Sequence, residues 1–296
     1  MLKPIVIPAL IALLSATSHA QTEVNNREIK SDLADITRSD WRTVEPENLV
    51  LMDTRYGRIA IELNTDFAPK HSAHFKSLIR SGAYKDTHFY RVIDGFVAQG
   101  GIQDETIIET YPTLKNENDR PISDAVFVDL GNPDLYAPIV GHIDGFAVGR
   151  SESLGKEWLL HCPKTIALAR DDDPDSGSTE FYIVLDAQRH LDRNLTVFGR
   201  VIDGMQYVQK LKRGNPNVDS GVIQAPEKGD AITAISIAAD LDEGERPGYE
   251  VMSSPSETFE TAKTAKRVRD HPFFYRKPPE VLDICGFDVP TRISRN

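Results

Sequence analysis

Short apolar runs and period-two alternation carry most of the signal between residues 49 and 101, and again between 165 and 237. Leu49 to Thr54 and Gly57 to Leu63 are strand-like runs joined by a turn at Tyr56-Gly57, which predicts a β-hairpin. Asp66 and Pro69 open a helix, since proline is tolerated in a first turn. Ala68, Phe75, Leu78 and Ile79 give that helix one apolar face, and Gly82 ends it. Two further strands are predicted around Phe89 to Ile93 and Phe96 to Gln99. Strands resume at Thr165 to Ala169, Phe181 to Leu185 and Thr196 to Val201. A second helix fits Met205 to Arg213, with Met205, Val208 and Leu211 on one face and Gly214 as its stop. Ile232 to Ile237 alternates cleanly as a last strand.

The pattern breaks down from about Gln103 to Pro163, where proline and glycine are frequent. This stretch is expected to be an insertion with little regular structure, of a length that is usually functional or disordered. Its aromatics (Tyr111, Phe127, Tyr136, Phe146 and Trp158) favour an ordered one. Beyond Asp240 the composition shifts to Glu, Gly, Pro and Ser. Ser254-Pro255-Ser256-Glu257 resembles a capping box opening a third helix to about Arg269, followed by a proline-rich aromatic tail. At the other end, Lys3 precedes an apolar run from Ile5 to Leu14, and small and polar residues close at Ser18-His19-Ala20. That is the pattern of a signal peptide over residues 1–20, too short to span a bilayer. Residues 21–48 are expected to be a polar, loosely held lead-in. Many short strands, two helices and one long insertion point to a mainly β barrel or sandwich with flanking helices.

Composition narrows the function. The chain has 296 residues, enough to bury a full core without staples. Its formal net charge of −11 argues against a nucleic-acid stripe, which needs clustered positive charge. There is no polybasic run to favour an anionic membrane, and no membrane insertion is expected after signal cleavage. An exported chain meets an oxidising compartment, where Cys162 and Cys285, the two cysteines, can pair once. Two separately buried thiols are the alternative, because sequence does not give the Cα separation that a bridge requires.

Several motifs in one order carry a resemblance. Gly57-Arg-Ile-Ala-Ile-Glu-Leu63, Ala68-Pro-Lys-His-Ser-Ala-His-Phe75 and Gly82-Ala-Tyr84 resemble the opening of a cyclophilin-type peptidyl-prolyl isomerase. Phe89-Tyr-Arg-Val-Ile93, Gly95-Phe-Val-Ala-Gln-Gly-Gly101, Ser178-Thr-Glu-Phe-Tyr-Ile183, His190-Leu-Asp192 and Val197-Phe-Gly-Arg-Val-Ile-Asp-Gly-Met205 continue it. The resemblance covers roughly Leu49 to Ala239, within a unit drawn at 49–240 with its insertion at about 103–163 and an extension over 241–296. It implies a closed eight-stranded antiparallel barrel capped by two helices, with an active groove on the outside. It also implies proline-containing polypeptide clients and no cofactor. The signal peptide places the chain outside the cytoplasm, most simply in a periplasm, and a monomer is the expectation.

The chemistry needs little. Rotating a peptide bond costs about 18–20 kcal/mol because resonance is lost. In the twisted state the imide nitrogen regains its lone pair, so a fixed guanidinium aimed at it binds the transition state better than either ground state. Arg91 matches the family's catalytic arginine, and no metal or nucleophile is required. Phe96, Val97, Tyr182 and Leu191 match the proline pocket, although Val97 and Tyr182 stand where Met and Phe are commoner. Gln99 matches the glutamine that helps hold the arginine and the substrate backbone, and Ala169 and Arg170 match the neighbouring backbone-binding strand. Apolar strand residues are more often plain core, so only the flanking motifs lift the pocket residues.

Three positions depart from the family. Glu180 replaces Gln, and a carboxylate there could pair with Arg91, orienting or neutralising it. Leu195 replaces a His common in eukaryotic members, and His190 replaces the Trp of many cyclosporin-sensitive members, which predicts weak binding of that drug. A catalytically weak module or periplasmic chaperone that holds proline segments is therefore the alternative to an enzyme. His71 and His74 share one helix face, but without a third ligand a solvated face is expected, not a metal site. Asp171-Asp172-Asp173-Pro174-Asp175-Ser176-Gly177 lacks the closing Glu and flanking helices of a calcium loop. It is expected to be an acidic turn that makes the groove mouth favour basic peptides.

Overall fold

The computed structural model describes residues 40–294. The signal peptide expected over residues 1–20 and most of the lead-in lie outside these. Strand β1 (Trp41–Thr43) precedes the hairpin of β2 (Leu49–Thr54) and β3 (Gly57–Leu63). Helix α1 (Pro69–Ser81) follows, then β4 (His88–Val92) and β5 (Val97–Gly101). The single-turn α2 (Glu105–Ile108) leads to β6 (Arg120–Pro121), β7 (Val128–Asp129), β8 (Ile139–Ile143), β9 (Phe146–Ser151) and β10 (Lys156–Leu159). Next come β11 (Thr165–Leu168), β12 (Phe181–Val184), β13 (Val197–Asp203) and the short α3 (Met205–Val208). The chain ends through β14 (Asp230–Ala231), β15 (Ala234–Ile237), β16 (Tyr249–Met252), α4 (Glu257–Val268) and β17 (Thr291–Ile293).

The largest sheet is antiparallel, in the order β14-β4-β5-β12-β11-β13-β3-β2-β15. Its two outer members are halves of one strand, broken only at Ile232-Thr233. There Ile232 donates its N–H to Thr87 on one side (2.9 Å), and Thr233 donates to Asp53 on the other (2.9 Å). One segment thus pairs with both edges, and eight passes of the chain close the expected barrel. Val50, Met52, Ile59, Ile61, Ile166, Phe181, Ile183 and Phe198 alternate inward and meet Phe75 and Leu78 of α1 over one end. Gly82, with φ of 77°, closes α1 by donating to Ile79. The second helix is shorter than the predicted Met205 to Arg213. After Val208 the chain tightens into turns, and Lys212 N–H bonds Asp230 (2.6 Å) while Gly214 N–H bonds Val92 (2.8 Å). These contacts draw the backbone off the helix axis.

The stretch from Gln103 to Pro163 holds more regular structure than its pattern predicts. Strands β6 to β10 form a five-stranded antiparallel sheet in the order β6-β10-β9-β8-β7. Glycines inside β8 and β9 hid it, and they serve packing there. A Cβ at Gly141 would lie 2.6 Å from the Phe127 ring, and one at Gly149 would lie 2.7 Å from the Trp158 indole. The end of the lead-in is likewise ordered, because β1 joins β16 and β17 in a third sheet. The C-terminal helix forms as expected, but its cap is Ser256, which accepts from Phe259 N–H at 3.1 Å, while Ser254 instead accepts from Gly145 N–H.

These additions cover one outer side of the barrel. Leu49, Leu51 and Ala60 of the hairpin share a buried cluster with Trp158 and Leu160 of the insertion and Val251, Phe259, Ile284 and Phe287 of the extension. Cys162 and Cys285 are joined by a disulfide across this layer, with Cα atoms 4.8 Å apart. Among the described residues no helix is long and apolar enough to cross a membrane.

Candidate active site

A bulge aims the site. His88 faces Gly101 across β4 and β5, but Arg91 faces Gln99, so β4 carries one extra residue between those pairs. Phe89 and Val92 both remain in the core, three positions apart, and Tyr90 and Arg91 are left on the outer side with Gln99. The Arg91 guanidinium donates from Nη1 to Gln99 Oε1 (3.0 Å) and from Nε to the Ser220 carbonyl (2.7 Å). Its Cζ lies 5.4 Å from the centre of the Phe96 ring. Burial lowers the Arg91 pKa from its ordinary value, and a guanidinium still remains charged.

Beside the arginine lies an apolar surface. Val97 and Tyr182 are buried, and half-buried Phe96, Ala169 and Leu195 pack with them on the outer barrel face. The insertion completes this layer with Ile143, Phe146, Val148 and Leu159. Tyr182 has a use for its hydroxyl, which meets His161 Nε2 at 3.0 Å. Asp192 holds His161 in turn, accepting its backbone N–H at 2.8 Å and lying 3.3 Å from Nδ1. Asp192 also accepts from Arg189 Nε (2.6 Å), and Asp134 of the insertion takes both terminal nitrogens of Arg189 at 3.0 Å. This network pins the turn that carries half-buried Leu191.

Glu180 does not pair with Arg91. Its carboxylate accepts the Tyr90 hydroxyl, and Tyr90 oxygen accepts from Gln99 Nε2 at 2.6 Å. Burial pushes the Glu180 pKa up, partly opposed by the Tyr90 hydrogen bond, while burial and the carboxylate raise Tyr90. Ala169 donates its N–H to the Glu180 carbonyl (2.8 Å), tying the two sides of the groove. Arg170 is turned into the backbone, donating to the carbonyls of Asn194 (3.0 Å) and Asp171 (2.6 Å). Gly101, at φ of 124°, is needed beside this point, since a Cβ would stand 2.8 Å from the Thr179 carbonyl.

Other expected sites resolve differently. His71 and His74 are not on a solvated face. His71 is buried with Nδ1 2.7 Å from Glu117, and His74 Nε2 lies 2.9 Å from the Ser178 carbonyl. Among the described residues no cluster of three or more ligating side chains could hold a metal. In the acidic turn Asp171, Asp172 and Asp173 are exposed, while Asp175 accepts from Asn116 N–H (2.9 Å) and Nδ2 (2.7 Å), anchoring the insertion. Sequence reasoning missed Tyr90, Ser220, His161 and Asp192. Tyr90 and Asp192 had a signal, their places inside the Phe89-Tyr-Arg and His190-Leu-Asp192 motifs; Ser220 and His161 had none.

The Arg91 guanidinium is thus held beside an apolar surface on the outside of a closed antiparallel barrel. The comparisons make this specific. Residues 49–237 match the family model described as cyclophilin type peptidyl-prolyl cis-trans isomerase. A probable peptidyl-prolyl cis-trans isomerase of Brucella suis is 34% identical over 199 residues, covering 66% of this chain and 85% of that protein. The peptidyl-prolyl cis-trans isomerase CYP23 of Arabidopsis thaliana is 30% identical over 187 residues, 63% of this chain and 69% of its own. Among solved structures, the cyclophilin AquaCyp293 from Hirschia baltica aligns with a TM-score of 0.69 at 27% identity, over 86% of this chain and 93% of that one. The chain belongs to the cyclophilin-type peptidyl-prolyl cis-trans isomerases. The likeness to the Hirschia protein extends beyond the segment that the family model matches.

Proposed function

We propose that this chain accelerates rotation about X–Pro bonds in exported polypeptides as they fold. The observation that carries the reading is Arg91, a cation without an ion pair among the described residues, held by Gln99 and Ser220 at the edge of the Phe96–Val97–Tyr182 surface. Uncatalysed X–Pro isomerisation takes tens to hundreds of seconds. The proline ring packs on the apolar surface, so the imide nitrogen comes to the guanidinium. As the bond twists and the lone pair returns, that nitrogen accepts a hydrogen bond that planar imide cannot, and the twisted state is held more tightly than either isomer. The protein moves no proton and forms no covalent bond.

Export is supported by the Lys3 to Ala20 pattern and by the Cys162–Cys285 disulfide, which persists in an oxidising compartment such as a periplasm. The unit at 49–240, with its insertion and extension, is the proposed division of the chain. Isomerisation of a short X–Pro peptide tests the activity. Arg91→Ala is expected to lose tenfold or more in kcat/KM, about 1.4 kcal/mol. A folded wild-type protein no faster than solvent would instead leave a holding module. N-terminal sequencing of the secreted form, expected to begin at Gln21, tests export.

A further inference from the structure

We propose that Glu180 and Tyr90 are positioning residues that fix the side-chain amide of Gln99 in the one orientation able to hold Arg91, so that isomerisation is fastest with Glu180 ionised. This rests on the reading of Arg91 as the catalytic group. Tyr90 has a single hydroxyl proton, and an ionised carboxylate only accepts, so that proton goes to Glu180. The Tyr90 oxygen must then face a donor, which is Gln99 Nε2 at 2.6 Å. The amide is thereby oriented with Oε1 toward Arg91 Nη1, 3.0 Å away. Each link dictates the next, from carboxylate to guanidinium.

Protonating Glu180 permits the reverse chain, since a neutral carboxyl can donate as well as accept. A neutral carboxyl can donate to the Tyr90 oxygen, Tyr90 then donates to Gln99, and the amide turns its NH2 toward Arg91. Two donors would face each other, and the guanidinium would lose its hold. A glutamine at 180 can donate or accept, so it imposes no direction. The ionisable groups facing Glu180 are Tyr90 on β4, Tyr84 after α1 and Asp171 after β11, with Arg91 acting on Tyr90 from the same strand. Burial and the Asp171 charge both favour the neutral form of Glu180, so the reversal falls above the ordinary carboxylate range.

The test is the pH profile of kcat/KM on a short X–Pro peptide for wild type, Glu180→Gln, Tyr90→Phe and the double variant, each checked for an unchanged circular dichroism spectrum. The wild type is expected to lose activity as pH falls, along an acid limb whose midpoint lies above 4.5, the ordinary value for Glu. Glu180→Gln is expected to be several-fold slower at neutral pH and to lose that limb. Tyr90→Phe is expected to lose about tenfold, and the double variant no more than the worse single one, because both act through Gln99. Tyr90 is buried, so if Tyr90→Phe does not fold, the half-buried Glu180→Gln decides the matter by its pH profile. An acid limb retained in Glu180→Gln, or additive losses in the double variant, overturns the proposal. Full activity in Arg91→Ala would instead overturn the reading on which it rests, so the two failures are distinct.

Discussion

His142 on β8 is 1% exposed, and neither ring nitrogen has a hydrogen-bond partner among the described residues. It stands edge-on to Phe259 and Phe287, and burial with the Arg200 and Lys263 charges pushes its pKa down to about 3. The folded value lies below the unfolded 6.5, so the unfolded chain takes up the proton first. Stability is therefore full above pH 6.5 and falls as pH drops toward 3. At pH 5 the linkage amounts to about 2 kcal/mol. Urea titrations at pH 7.5 and pH 5 should show that loss in the wild type and a smaller one in His142→Phe. Tyr182 makes a second case. Tyr182→Phe would keep the ring but strand His161 Nε2, and is expected to destabilise by about 1–2 kcal/mol in the same titration. The sequence shows a tyrosine where phenylalanine is commoner; its partner, 21 positions away, is visible only in the fold.

Helix α1 has alanine at its N-cap, so its first N–H groups lack the usual side-chain acceptor. Glu117 of the insertion supplies it, accepting from Lys70 N–H (3.1 Å) and His71 N–H (3.0 Å) while touching the His71 ring. A negative group there also meets the positive end of the helix. Glu117→Ala should lower stability by about 1–2 kcal/mol, and Ser256→Ala at α4 by about 1 kcal/mol, both measured by chemical denaturation. The helix itself was legible from Pro69, the 3–4 spacing of its apolar face and Gly82, because these act locally. Its cap was not, since the capping residue comes from more than forty positions away. The insertion sheet was hidden for a related reason. Its glycines signal turns in a linear reading, yet Gly141 and Gly149 are strand positions where aromatic rings approach the backbone.

At the scale of the molecule, barrel, insertion and extension cannot be separated without opening a core. Leu49, Leu51 and Ala60 are nearly wholly buried, and their cover is Trp158, Leu160, Phe259, Ile284 and Phe287. Glu62 on β3 ties the layers further, pairing Arg200 of β13 at 2.9 Å and Arg42 of β1 at 2.5 Å. A chain ending at Ala239 is expected to expose that surface and aggregate, which size-exclusion chromatography would show. The disulfide spans 123 residues, and reducing it should lower stability by about 2–5 kcal/mol, with a melting temperature lower by on the order of 5–15 °C in calorimetry.

The sequence by itself determined the barrel strands, the first helix and the family, and it singled out Arg91, Gln99, Phe96, Val97 and Tyr182 as candidates, because alternation, helix stops and contiguous motifs are written in neighbouring positions. Tertiary structure decided what depends on distant partners. It closed the barrel through the split strand at Ile232-Thr233 and joined Cys162 to Cys285. It placed Glu180 on Tyr90 and, among the described residues, left Arg91 without a carboxylate partner. Hydrogen bonds and ion pairs between residues far apart in sequence are set by how layers pack, and a linear pattern of apolar and polar positions carries no record of them.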